Sequence, residues 1–165
     1  MKIKIGRITL LILLPFLFSC EKDEGGEGNA TPSLDKEIRI NFPFDYIGAA
    51  DTTYVLSPTY SYLKDFNKNS YVHIDSIFFI CTITTENADT AFVRLYNISD
   101  DTIIGMSDIV QSTKPVNDYD YRWSYSKNIV DYLPDHPSDL GIQMRSKNGQ
   151  SNIYIRSAYL LLKRK

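Results

Sequence analysis

In the stretch Ala91-Phe92-Val93-Arg94-Leu95-Tyr96, small and aliphatic residues alternate with rings and an arginine. A pleated strand turns successive side chains to opposite faces. The run therefore reads as a strand with Ala91, Val93 and Leu95 toward a core and Phe92, Arg94 and Tyr96 outward. Strand-like runs continue throughout the chain beyond Leu34, and no long stretch there carries the 3.6-residue period of a helix. Twelve tyrosines, with many Ile, Thr and Val, suit pleated surfaces.

The predicted strands cover Glu37–Asn41, Thr53–Leu56, Tyr71–Thr84, Thr90–Asn97, Thr102–Ile109, Tyr119–Ser126, Leu140–Ser146 and Asn152–Lys163. Turn residues separate them: Glu86-Asn87-Ala88-Asp89, Ser99-Asp100-Asp101, Pro134-Asp135-His136-Pro137 and Lys147-Asn148-Gly149-Gln150. The last of these lies between two strong runs and predicts a hairpin. About eight strands at this spacing make a sandwich or a barrel. No internal repeat is visible.

The N-terminus carries a different signal. Lys2, Lys4 and Arg7 precede an apolar run from Ile8 to Phe18, broken only by Thr9 and Pro15. A basic head and a short apolar segment read as an export signal. The run is eleven residues long, whereas a spanning helix needs about 20, and Pro15 breaks helical geometry. It ends in Leu17-Phe18-Ser19-Cys20, which resembles the lipobox of bacterial lipoproteins, although Phe18 is bulkier than the commonest residue at its place. The resemblance implies cleavage before Cys20, diacylation of its thiol and acylation of the new amine. Two or more acyl chains hold a protein stably, at about 0.8 kcal/mol per buried methylene. Residues 1–19 are then the signal peptide, 20–35 a lipidated tether and 36–165 the folded domain. Glu21 to Gly28 is acidic and glycine-rich, with too few apolar residues to repay ordering. The string Cys20-Glu21-Lys22-Asp23-Glu24 is similar to the surface-export signal of Bacteroidetes-type lipoproteins. It implies display at the bacterial outer membrane, facing outward.

Residues 1–19 hold three of the 18 basic residues and none of the 20 acids, so the remainder carries 15 against 20, a formal −5. Nucleic acid would call for a basic patch, and none is present. With Cys20 acylated, Cys81 is left alone and no intrachain disulfide forms. Its setting, Ile77-Phe78-Phe79-Ile80-Cys81, is that of a small buried hydrophobe.

The stretches at 91–109, 128–134, 140–149 and 153–165 together resemble the C-terminal half of jelly-roll domains of the galactose-binding-like kind. The resemblance implies an all-β, antiparallel two-sheet sandwich and a sugar-binding role. An immunoglobulin-like sandwich is the alternative, though its Cys-Trp-Cys core signature is missing.

Local enzyme signatures are mostly absent: there is no His-Glu-x-x-His helix, no Gly-x-Ser-x-Gly elbow and no phosphate-binding glycine loop. Of the two histidines, His136 falls in a turn and His73 at a strand start. Asp118, Asp120, Asp131, Asp135 and Asp139 crowd one region and read as a solvated acidic rim. A structural calcium ion, which needs six to eight oxygens, is the sharper alternative. Tyr119, Tyr121, Trp123 and Tyr125 share one face of a strand and read as core, with Asp120, Arg122 and Ser124 outward. On other strands Gln143 and Arg145, and Tyr154 and Arg156, point away from Leu140, Ile142, Met144, Ile153 and Ile155. Arg94, Tyr96, Arg145, Tyr154 and Arg156 are therefore the candidate ligand surface, since arginine beside rings suits hydroxyls and carboxylates. Asp51-Thr52, Asp75-Ser76, Asp89-Thr90 and Asp101-Thr102 are similar to the O-glycosylation site of Bacteroidetes-type exported proteins. Modification is expected at Thr52, Ser76, Thr90 or Thr102. Three functions follow: a lipid-anchored, non-catalytic glycan binder; an assembly subunit packing on a partner envelope protein; or a hydrolase, which calls for two acids converging in a cleft.

Overall fold

The computed structural model describes residues 35–112, 122–149 and 151–165. These residues form strands β1 (Glu37–Asn41), β2 (Ile47–Ala49), β3 (Val55–Leu56), β4 (Leu63–Phe66), β5 (Ile74–Thr85) and β6 (Thr90–Asn97). They continue with β7 (Thr102–Ile103), β8 (Ile109–Ser112), β9 (Arg122–Asn128), β10 (Ser138–Ser146) and β11 (Ile153–Arg164). Residues 1–34, with Cys20 and the tether up to its last residue, lie outside the described residues, as do Asp118, Tyr119, Asp120, Tyr121 and Gln150.

Two antiparallel sheets face one another. One runs β1-β11-β5-β9 with β2 alongside β11; the other runs β3-β10-β6-β7, with β4 along β10 and β8 along β6. Following the chain, β1 and β2 lie in the first sheet, β3 and β4 in the second, and β5 returns to the first. After that, β6 to β8 lie in the second, β9 in the first, β10 in the second and β11 in the first. This repeated crossing is the topology of a jelly roll.

Alternation explains the core. On β6 every second residue is buried, namely Ala91, Val93, Leu95 and Asn97. Leu140, Ile142 and Met144 of β10 join them, against Ile77, Phe79, Cys81 and Ile83 of β5. Each fully buried large aliphatic or phenyl group contributes about 1.5–3 kcal/mol.

Four expectations need correction. The hairpin expected at 147–150 is a crossover, because β10 and β11 belong to different sheets. Lys147 N–H bonds Thr90 O at 2.9 Å, which ties the start of that crossover to β6. The single strand expected over Thr102–Ile109 is two, β7 and β8, separated by a turn in which Met106 takes φ 60°. Gly105 sits so close under the Tyr132 ring that a Cβ would lie 2.4 Å from it.

The third correction concerns β9, whose rings point out: Trp123 is 51% and Tyr125 69% exposed, while Ser124 and Ser126 are buried. The ladder between β5 and β9 slips between Phe78 and Ile80. Ser126 Oγ covers the gap by accepting the Phe79 N–H at 2.9 Å, and Ser124 Oγ donates to Gln111 Oε1 at 2.9 Å. Only a short hydroxyl side chain on the inner face does this; a ring does not. Fourth, β2 and β4 were not foreseen, being three and four residues long.

Candidate functional site

A bulge in β11 shapes the outer face of the first sheet. Ile155 pairs with Ile83 and Ala158 with Cys81, so Arg156 and Ser157 of β11 stand opposite Thr82 alone. Bulges of this kind re-aim side chains. The Ser157 N–H donates to Thr82 Oγ1 at 3.1 Å, which locks the bulge to β5. Across the other edge of β5, Thr82 pairs with Trp123. The bulge thereby brings Arg156, Ser157, Thr82 and the indole together.

The fourth side of this group comes from the segment after β1. Phe42 N–H bonds Ala158 O at 2.9 Å, and the buried Phe42 ring packs edge-on against Phe79, centroids 6.1 Å apart. So pinned, the segment places Phe44 and Asp45 over the bulge. The result is an open cavity of about 520 Å³ lined by Phe44, Asp45, Thr82, Trp123, Arg156 and Ser157. A second depression of about 360 Å³ shares Phe44, Asp45 and Ser157 and extends toward Asn41 and Phe42. Together they make a groove with ring faces, a carboxylate, a guanidinium and two hydroxyls.

Of the residues expected from sequence, Tyr154 and Arg156 lie on this sheet. Arg156 lines the groove. Tyr154 stacks on Tyr46 at 5.1 Å between centroids, over Gly48, where a Cβ would come within 2.8 Å of the ring. Arg94, Tyr96 and Arg145 lie on the other sheet, so the five do not form one surface. Arg94 lies over the Tyr54 ring and Arg145 over Phe92. The Tyr96 hydroxyl donates to Asp101, and that bond raises its pKa above the usual tyrosine value.

The candidate modification sites divide by exposure. Thr52 and Thr102 are exposed, whereas Ser76 and Thr90 are half-buried within strands. At two of the four strings the aspartate serves the turn: Asp51 accepts the Thr53 N–H at 2.8 Å and Asp89 the Thr90 N–H at 2.7 Å. Two of the clustered acids carry ion pairs, Asp135 with Lys68 at 2.9 Å and Asp139 with Lys64 at 2.5 Å. Among the described residues no group of three or more His, Cys, Asp or Glu converges on a metal position.

A Ser-His-Asp chain does occur, in the turns at one end of the sandwich. Ser138 Oγ lies 3.0 Å from His136 Nδ1, and His136 Nε2 lies 3.1 Å from Asp100 Oδ2. Ser138 is only 2% exposed and its hydroxyl also reaches the His136 carbonyl at 3.3 Å. A nucleophile must meet its substrate, and this hydroxyl is closed off; the chain ties two turns together. Cys81 is likewise buried, and burial pushes its thiol pKa up, away from the reactive thiolate.

Sequence reasoning missed Phe44, Asp45, Thr82 and Ser157. Nothing in a linear pattern marks a bulge, and the groove exists only because one forms. Trp123, the sole tryptophan, was legible as a residue but not in its orientation.

No family model matches the chain, and no curated protein matches it. Among solved structures, that of Eiger TNF from S. frugiperda is similar over 79% of this chain and 94% of its own, at 9% identity and a TM-score of 0.37. The functional reading therefore rests on the groove itself.

Proposed function

We propose that this protein is a lipid-anchored envelope lipoprotein whose sandwich binds a glycan, without catalysis, in the Trp123 groove. The observation that carries the reading is a half-exposed indole set beside Thr82, Ser157, Asp45 and Arg156 in one cavity. A sugar ring presents a C–H face and a rim of hydroxyls. The first suits an aromatic surface, and the second suits a few placed polar groups. The continuation of the groove past Phe44 toward Asn41 gives room for more than one sugar unit.

The anchor reading is supported by the lipobox-like Leu17-Phe18-Ser19-Cys20 and the acidic stretch that follows it. Palmitate labelling that Cys20→Ser abolishes checks it, and surface proteolysis of intact cells checks the outward orientation. Intact mass equal to polypeptide plus lipid would reject O-glycosylation at the exposed Thr52 and Thr102 and at Ser76 and Thr90.

The glycan reading is tested by arraying the full chain in detergent beside Trp123→Ala. Binding to a defined glycan that Trp123→Ala loses supports the groove. Binding kept by that variant moves the site elsewhere. Silence across a broad array removes the glycan reading and favours packing on a partner envelope protein, which a membrane pull-down then tests.

A further inference from the structure

The outer face of the second sheet holds a cluster that the groove does not touch. Arg94 pairs across β6 and β10 with Gln143, and Phe92 with Arg145, so the two arginines are diagonal neighbours on one face. The Arg94 guanidinium carbon lies 3.6 Å from the centre of the Tyr54 ring. That of Arg145 lies 5.2 Å from the same ring and 3.9 Å from Phe92. Tyr54 thus serves as a floor shared by two cations. Arg94 Nε donates to Gln143 Oε1 at 2.8 Å, which fixes its plane and leaves its terminal nitrogens to bond elsewhere.

What the described residues lack there is an acid. Among the described residues, no carboxylate lies within ion-pair distance of Arg94 or Arg145, and the Arg145 guanidinium donates no hydrogen bond. Asp101, beyond Tyr96 on the same strand's turn, is engaged by the Tyr96 hydroxyl. Like charges held side by side on a sheet cost folding free energy. The chain has acids enough to relieve this, 20 against 18 bases, and elsewhere it uses them, as in Lys64–Asp139, Lys68–Asp135 and Lys163–Glu37. Two guanidiniums, each laid on a ring and without a counter-charge among the described residues, are a preformed fork for a planar or tetrahedral oxyanion. Gln143, whose carbonyl oxygen is taken by Arg94, keeps its amide N–H groups for the same ligand.

We propose that Arg94, Arg145 and Gln143, floored by Tyr54 and Phe92, form a second binding site, for a saccharide bearing a carboxylate or a sulfate ester. The site is separate from the Trp123 groove and stands or falls independently of it.

The test uses the full chain in detergent at low ionic strength, with calorimetric titration of methyl glucuronide, glucose 6-sulfate, methyl glucoside and inorganic sulfate. Wild type, Trp123→Ala, Arg94→Gln/Arg145→Gln and Arg94→Lys/Arg145→Lys are compared, with circular dichroism reporting the fold. The expected result is binding of at least one acidic sugar that Trp123→Ala retains and the double Gln variant weakens by about tenfold or more. The double Lys variant keeps the charge but not the fork, and is expected to lose severalfold; it also serves if the Gln variant does not fold. Four outcomes overturn the proposal: no acidic sugar bound, binding unchanged in both double variants, loss in Trp123→Ala instead, or inorganic sulfate bound as tightly as glucose 6-sulfate. Methyl glucoside reports on the groove alone, so failure of one site does not read as failure of the other.

Discussion

The indole of Trp123 meets the ring of Tyr159 edge-on, with centroids 5.7 Å apart and planes at 68°. Tyr159 is itself held from the other side by Arg39, whose guanidinium carbon lies 3.7 Å from the ring centre. A half-exposed tryptophan on an edge strand is thereby oriented by a neighbour on β11, and the neighbour by one on β1. Edge-to-face pairs of this kind are worth about 0.5–1.5 kcal/mol.

On the proposed glycan reading, Tyr159→Leu is expected to weaken binding although Tyr159 does not line the groove. The expected loss is about fivefold, the equivalent of about 1 kcal/mol. Trp123→Ala is expected to lose more, with little change in stability, since its side chain is half-exposed. Titration of the array-identified glycan into both variants, beside urea melts, checks the order of the two effects. Equal binding by Tyr159→Leu and wild type would show that the edge contact does not position the indole.

The core makes a contrasting prediction. Leu95 is fully buried between the sheets, and Leu95→Ala is expected to destabilise the fold by about 2–5 kcal/mol through lost transfer and a residual cavity. Leu161, on the outer face of β11, is only half-buried, so Leu161→Ala costs less. Denaturant melts of the two variants at equal pH give the comparison.

Stability is expected to depend on one carboxylate at low pH. Lys64, then the Asp65 N–H at 3.1 Å, hold the Asp139 carboxylate ionised and lower its pKa below the ordinary value of 3.8. A group with a lowered folded pKa contributes stability above its unfolded pKa and loses it as pH falls through the folded one. Asp139→Asn should therefore cost about 1 kcal/mol near neutral pH, a modest figure because the Lys64 side chain is 57% exposed. The difference from wild type should close as the pH drops below the carboxylate range. A gap that persists at the lowest pH would assign the cost to lost packing.

Cys81 should resist alkylation in the native protein. It is fully buried, its thiol pKa raised by desolvation alone. Iodoacetamide is expected to modify it only at the rate at which the sandwich opens, so labelling should accelerate with urea in step with unfolding. Rapid labelling without denaturant would contradict the packing of β5 against the core.

Much of the fold was legible because strand identity is largely a local property. The bounds of β1 and β6 follow from alternation and flanking turn residues, and Ala91, Val93 and Leu95 point inward as their period requires. The inward set on β10 and the outward Gln143 and Arg145 follow from the same reasoning. Where it failed, a non-local hydrogen bond outweighed the local pattern. On β9 the alternation of rings and short polar residues is satisfied either way round. The slipped register with β5, bridged by Ser126, turned the serines inward.

The candidate site was legible only in part, for the same reason. Alternation turns Arg156 outward, and it lines the groove. Its companions Thr82, Ser157, Phe44 and Asp45 come from β5, the bulge and the loop after β1, and nothing in one strand announces the others. Arg94 and Arg145, both outward by alternation, share a face, yet that face belongs to a different sheet from Tyr154 and Arg156.

By itself, then, the sequence determined an all-β chain, most of its strands and the inward side of the aliphatic ones, because a two-residue period and turn chemistry act over a few residues. Tertiary structure alone decided which strands share a sheet, where the ladder slips, and therefore which rings and polar groups meet in the groove. Those depend on pairing between segments far apart in the chain, such as Thr82 with Trp123 and Cys81 with Ala158. A one-residue difference in such a pairing changes what a face presents.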